Sequence, residues 1–333
     1  MRSPYAPRSV FPPPGTRLAA ALSPRSRPLT PRRSLDDDRR RDLERRLAAL
    51  PPEGCLTGLS GAEARGWWML PTHRDRPDFA AVPESAPHPE RRGLVVTRHA
   101  VPPVVEHRDG LRVGSPGEVL LGCWDLCLLD LVVLVDGALA VGEDLDEIVE
   151  TARLRRRGAP LLRQALLLAD ARAESLWEVV SRMFHVAVGV DVVPQHEIEL
   201  GDGTTVYADL WLRGTRRLHE YDGLHHLERP QQQTDLRRGR LLVAGGWERN
   251  GYTSDDLLVR TAATLRDIDG ALGRAHDPRR LTFWHAQLQQ SLLTPAGRAR
   301  RAARWERAAQ GRAGRRAARD RGSGGRATAP YAA

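Results

Sequence analysis

Residues 192–222 read VVPQHEIELGDGTTVYADLWLRGTRRLHEYD, and this stretch decides the fold. Val192 to Leu200 and Thr205 to Leu212 alternate as strands, with the turn signal Gly201-Asp202-Gly203 between them. Gly214-Thr215 forms a second turn into a third strand, Arg216 to Asp222. If that turn centres a hairpin, Asp209 stands opposite Glu220. Residues two apart on a strand share a face, so Glu220 and Asp222 project together toward the side of Asp209. Like charges opposite each other on neighbouring strands repel, so such a trio calls for exposure, a shared proton or a cation. A divalent metal held by Asp209, Glu220 and Asp222 is the most economical of these. Mg²⁺ (or Mn²⁺) takes carboxylate oxygens, keeps several waters and accepts substrate phosphate. Such a metal polarises a phosphoryl oxygen and acidifies a bound water, which is the equipment for hydrolysing a phosphodiester. Glu178, on the preceding helix, orients the water or completes the site. The plainer alternative makes Asp222-Gly223 a turn that ends a strand and Glu220 a solvated strand residue.

Working outward, Ser175 to Phe184 is an amphipathic helix with Leu176, Val179, Val180 and Met183 at helical spacing. Gln231 to Ala244 is helical, Gly245-Gly246 stops it, Trp247 begins a short β segment, and a helix runs from Ser254 to Leu272. The order is α-β-β-β-α-β-α over residues 171–273. Upstream, residues 1–34 are rich in Pro, Arg and Ser without an apolar period, so disorder is expected. Leu43, Leu47 and Leu50 mark a helix that Pro51-Pro52 ends, and Ser60 with Glu63 caps a second one reaching Leu70. Residues 93–106 hold two β segments. Asp109-Gly110 is a turn, and Leu111 to Val113 a further strand piece. Ser115-Pro116 opens a long apolar helix that buries Trp124. Two more helical stretches cover Leu145 to Arg156 and Leu161 to Ala169. The expected domains are therefore a mixed, mainly helical unit at 35–170, a unit at 171–273 and a helical extension at 274–295. Disordered ends at 1–34 and 296–333 flank them.

The 333 residues carry a net charge of +9, and every basic residue is Arg. Residues 1–50 hold 12 Arg against 5 acids and residues 296–333 hold 11 Arg against 2, whereas residues 51–295 hold 28 Arg against 35 acids. The basic character thus lies in the ends, which either anchor nucleic acid by counterion release or are solvated tails. Cys55, Cys123 and Cys127 are too few and too closely spaced for a disulfide framework or a zinc site, which leaves them as small core residues. No apolar run is long enough to cross a membrane, and no signal-peptide core is present. A cytoplasmic protein with no membrane partner is expected.

HEYDGLHH at 219–226, preceded by ADLWL at 208–212 and followed by Asp235, Arg238, Leu241 and Gly246-Trp247, resembles the very-short-patch-repair-like endonuclease group. That group belongs to the PD-(D/E)XK nuclease superfamily, and within it the resemblance is to the actinobacterial domain of unknown function 559. The resemblance covers Ala173 to Leu272. It implies an α/β (α+β) restriction-endonuclease-like core and a Mg²⁺-dependent deoxyribonuclease acting on DNA in repair or defence. It also implies that Asp209 and Glu220 are metal ligands and that Asp222 stands where the wider superfamily carries lysine. His226 would lie at the active-site edge, and Glu178 would match the glutamate of the first helix. The chain departs from the pattern in GluArgAsnGlyTyr at 248–252, a poor strand by propensity. With the missing lysine, this keeps open a catalytically inactive DNA-binding or regulatory protein. Residues 56–71 and 114–140 resemble the N-terminal part of abortive-infection type IV toxin-antitoxin antitoxins. That resemblance implies either a DNA- or protein-contacting unit or a scaffold, and it leaves the partner protein unnamed.

Overall fold

A computed structural model describes residues 29–73, 75–87, 93–223 and 239–309. The chain is mixed α/β, with two mixed sheets. The first contains β1 (Cys55–Leu56), β2 (Asp78–Pro83), β3 (Leu94–His99), β4 (Val105–Arg108) and β5 (Leu111–Gly114), in the order β3-β2-β1-β5-β4. The second contains β6 (Val192–Glu199), β7 (Thr205–Leu212), β8 (Arg217–Tyr221) and β9 (Glu248–Tyr252), in the order β6-β7-β8-β9. β6, β7 and β8 form an antiparallel meander, and β9 adds parallel to β8. With α7 (Leu176–Ala187) before it, residues 239–244 helical ahead of β9, and α8 (Ser254–Leu258) and α9 (Thr261–Ala271) after, the element order is α-β-β-β-α-β-α.

One hydrophobic core runs through both halves, from Leu43 on α1 (Asp37–Leu47) to Trp305. Its axis is α4 (Leu128–Ala140), in which every residue is buried. A helix apolar on all sides must be covered on all sides, and α6 (Ala159–Leu166), α7 and the C-terminal helices cover it. Its three polar anchors are buried ion pairs or hydrogen bonds. Asp136 accepts from Arg182 of α7 at 2.6 Å and from the Asp170 N–H at 2.8 Å, and Asp130 accepts from the Leu292 N–H at 2.9 Å. The second sheet is thereby fixed to the first half through α7.

Several expectations need correction. The long apolar helix is broken into α3 (Pro116–Leu121) and α4, because Gly122 lies against the Gly58 backbone and leaves no room for a side chain there. Trp124, in that break, is half-buried rather than buried. Ser60 does not cap a helix. It sits inside α2 (Gly58–Ala64), which follows Thr57, and its hydroxyl donates to Asp78 at 2.8 Å and accepts the Phe79 N–H. Residues 29–34 pack rather than trail, with the Thr30 N–H on the Ala140 carbonyl and Arg32 on Glu143. Residues 295–309 are α11 (Pro295–Ala309), not a disordered tail. Its arginines masked an apolar seam at four-residue spacing, in which Gly297, Arg301, Trp305 and Ala309 are buried. Trp305 stands edge-on to Phe79 at 5.2 Å and donates to Asp125 at 2.9 Å. Residues 1–28 and 310–333 lie outside the described residues. Among the described residues no helix is long and apolar enough to cross a membrane.

Candidate functional site

The site is a row across the second sheet. Leu210 pairs with His219 and Trp211 with Leu218, so Asp209 stands opposite Glu220, the register expected from the Gly214-Thr215 turn. The Asp209 carboxylate accepts the Tyr221 N–H at 2.9 Å. On the other side of β7, Pro194↔Leu210 and His196↔Ala208 bracket Gln195, which therefore faces Asp209 from β6. On β9, Gly251 pairs with Glu220. Gln195, Asp209, Glu220 and Gly251 thus line up strand by strand.

Gln195 has φ +50°, the left-handed region, in the middle of a strand. A side chain there costs on the order of 1 kcal/mol and persists only where its surroundings enforce it. Its amide donates to Glu178 at 2.8 Å. Glu178 lies in the first turn of α7, whose N-cap Ser175 accepts the Glu178 N–H, and its carboxylate also accepts the Glu174 N–H at 2.9 Å. Burial pushes the Glu178 carboxyl above its ordinary range, against these hydrogen bonds. At the opposite end of the row, Arg249 donates to Glu220 and lies 3.6 Å from Asp222. The Glu220 side chain is 6% exposed, Arg249 39% and Asp222 54%. The Asp222 carboxylate occupies the space a methyl at position 251 would take, so Gly251 is what admits it.

The other face of β8 is a support. Tyr221 stacks on Trp177 at 5.3 Å, and His219 meets His185 of α7. The His185 Nδ1–H donates to the Ser181 carbonyl at 2.7 Å, which makes its Nε2 the acceptor for the His219 Nδ1–H at 2.7 Å. Burial lowers His185 to about 4, and His219, additionally beside the positive side of His185 and Arg217, to about 2. Both are therefore neutral near pH 7, and no charge faces the underside of Glu220 from them.

No protein-family model, curated protein or solved structure matches the chain. The site therefore stands on its own geometry. Of the residues singled out from the sequence, Asp209 and Glu220 are cross-strand neighbours, Glu220 and Asp222 share Arg249, and Glu178 joins the row through Gln195. His226 lies outside the described residues. Among those residues, no group of three or more His, Cys, Asp or Glu side chains is placed to hold a metal ion. Sequence reasoning missed Gln195 and Arg249. The backbone of Gln195 leaves no trace in VVPQHE, and Arg249 sits in a segment whose composition argued against a strand.

Proposed function

We propose that residues 171–273 are a metal-dependent DNA endonuclease of restriction-endonuclease-like, PD-(D/E)XK character, hydrolysing phosphodiester bonds in repair or defence. The observation that carries this reading is the pairing of Asp209 with Glu220 between a strained Gln195 and a glycine that makes room for Asp222. Strain and clustered carboxylates are concentrated where a protein does chemistry. The donor set suits Mg²⁺ or Mn²⁺, because such ions need only one or two side-chain carboxylates besides water and phosphate. Asp209 and Glu220 would hold the ion, with Asp222 at the rim. When bound, it would polarise the phosphoryl oxygen and acidify a water. Arg249 compensates the charge of Glu220 and Asp222, and its half-exposed guanidinium can turn to a phosphate oxygen of the strand. Glu178, raised by burial, holds a proton more readily than an ordinary carboxyl and orients polar neighbours through Gln195.

Arg249 also favours a second reading, a catalytically inactive nuclease-fold DNA-binding or regulatory protein in which the guanidinium permanently takes the cation's place. Incubating the protein with supercoiled plasmid in Mg²⁺, Mn²⁺ or EDTA separates the two. Nicking that appears only with metal supports the nuclease. Binding without nicking in any metal supports the second reading.

A further inference from the structure

Most arginines on this protein face a carboxylate, as Arg41, Arg153, Arg213, Arg260 and Arg279 do even at exposed positions. One place breaks that pattern. At the end of β3, a pocket of about 430 Å³ is lined by Arg98, His99, Trp124, Arg155, Arg156 and Arg157 together with small and apolar neighbours, and no carboxylate lines it. Arg156 is drawn inward onto buried Glu118, at 2.7 Å through one of its two bonds, and so pins the loop that carries its neighbours. That leaves Arg155 and Arg157 exposed on either side of it. Neither has a carboxylate partner among the described residues. Arg157 lies over the Trp124 ring, 3.3 Å from its centre, and Arg304 of α11 approaches the same ring at 4.9 Å. Arg98 reaches the carbonyls of Glu84 and Ala86, which hold its stem without cancelling its charge. His99, kept neutral by burial and by Arg156, adds no cation but offers a polar ring.

Packing several guanidiniums around one concavity without acids costs self-repulsion, which an anion relieves. Guanidinium forks match phosphate oxygens two at a time, and a half-buried tryptophan beside them is a stacking surface. We propose that this pocket binds phosphate, supplied by a nucleic-acid strand or by a free nucleotide. The pocket lies in the first half of the chain and involves none of Glu178, Asp209, Glu220 or Asp222, so it stands apart from the nuclease reading.

The test uses the full chain in EDTA, which removes cleavage from the measurement. Fluorescence anisotropy follows a labelled 20-nucleotide single strand across a salt series, and calorimetry follows ATP. Arg155→Ala/Arg157→Ala should weaken strand binding about tenfold and reduce its salt slope by about 2, one unit for each lost phosphate contact. Arg41→Ala/Arg45→Ala, which removes the same charge from α1, should change it less than twofold. Arg155→Lys/Arg157→Lys, keeping the charge, should stay within threefold of wild type and shows that folding is not at issue. Loss confined to ATP identifies a free nucleotide as the source of the phosphate. Equal losses in the two alanine variants, or no loss in either arm, would overturn the proposal.

Discussion

Glu143 in the first half and Glu220 in the second are both nearly buried and both meet arginine, yet their surroundings differ in kind. Burial alone would raise the Glu143 carboxyl, but Arg65, Trp67 and Arg32 together hold it below its ordinary range. Arg65 is itself fully buried and also bonds Glu106 and the Gly114 carbonyl, so the cluster is closed to solvent. Glu220 instead faces another carboxylate across the strand and shares a 39% exposed arginine with Asp222. A closed network of this sort fixes a fold. An open one, with repulsion left in place and a strained residue beside it, is suited to receiving a ligand.

The largest expected effect tests the closed side. Glu143→Gln leaves Arg65 buried without its counter-charge and should cost about 3–5 kcal/mol in urea unfolding. Glu220→Gln, beside a solvated arginine, should change stability by less than about 1 kcal/mol. Similar losses at both positions would erase the distinction.

A smaller effect, on the order of 1–3 kcal/mol, comes from the histidines beneath the site. Their folded pKa values lie below the unfolded value, so the folded state binds fewer protons below pH 6.5. Stability should be full above about pH 6.5 and fall as pH drops toward 4, where His185 titrates. His185→Gln/His219→Gln should flatten that part of the profile while lowering its plateau. An unchanged slope would show that the pair is not buried neutral.

Smallest in stability is Gln195→Gly. Relief of the left-handed backbone, about 1 kcal/mol, roughly offsets the entropy glycine loses on folding, about 0.5–1 kcal/mol. The variant should unfold within about 1 kcal/mol of wild type yet lose tenfold or more of any cleavage, since Glu178 loses its amide donor. A destabilisation above about 2 kcal/mol would make Gln195 a structural residue.

What could be read beforehand followed local chemistry. The β7–β8 register was legible because Gly214-Thr215 fixes the turn and a one-residue slip would invert every side chain. β2 was not, because all six of its residues are buried and no alternation betrays it. β9 was doubted on propensity, but its parallel pairing with β8 over five residues outweighs a poor composition. The α3–α4 break was hidden inside an unbroken apolar run, since what interrupts it is the close approach of Gly58 to Gly122, a contact between distant segments. Arg249 was invisible for the same reason. The metal inferred from the three carboxylates had a competitor that only the fold brings alongside.

The central claim is that Asp209 and Glu220 form a working metal site on an otherwise intact sheet. Nicking of supercoiled DNA in Mg²⁺ or Mn²⁺ by wild type, Asp209→Asn and Glu220→Gln, with melting temperatures recorded alongside, tests it most directly. Metal-dependent nicking by wild type that both variants lose, at unchanged or higher melting temperature, is the predicted result. Wild-type protein that nicks no DNA in either metal and gains no thermal stability from them would contradict the claim.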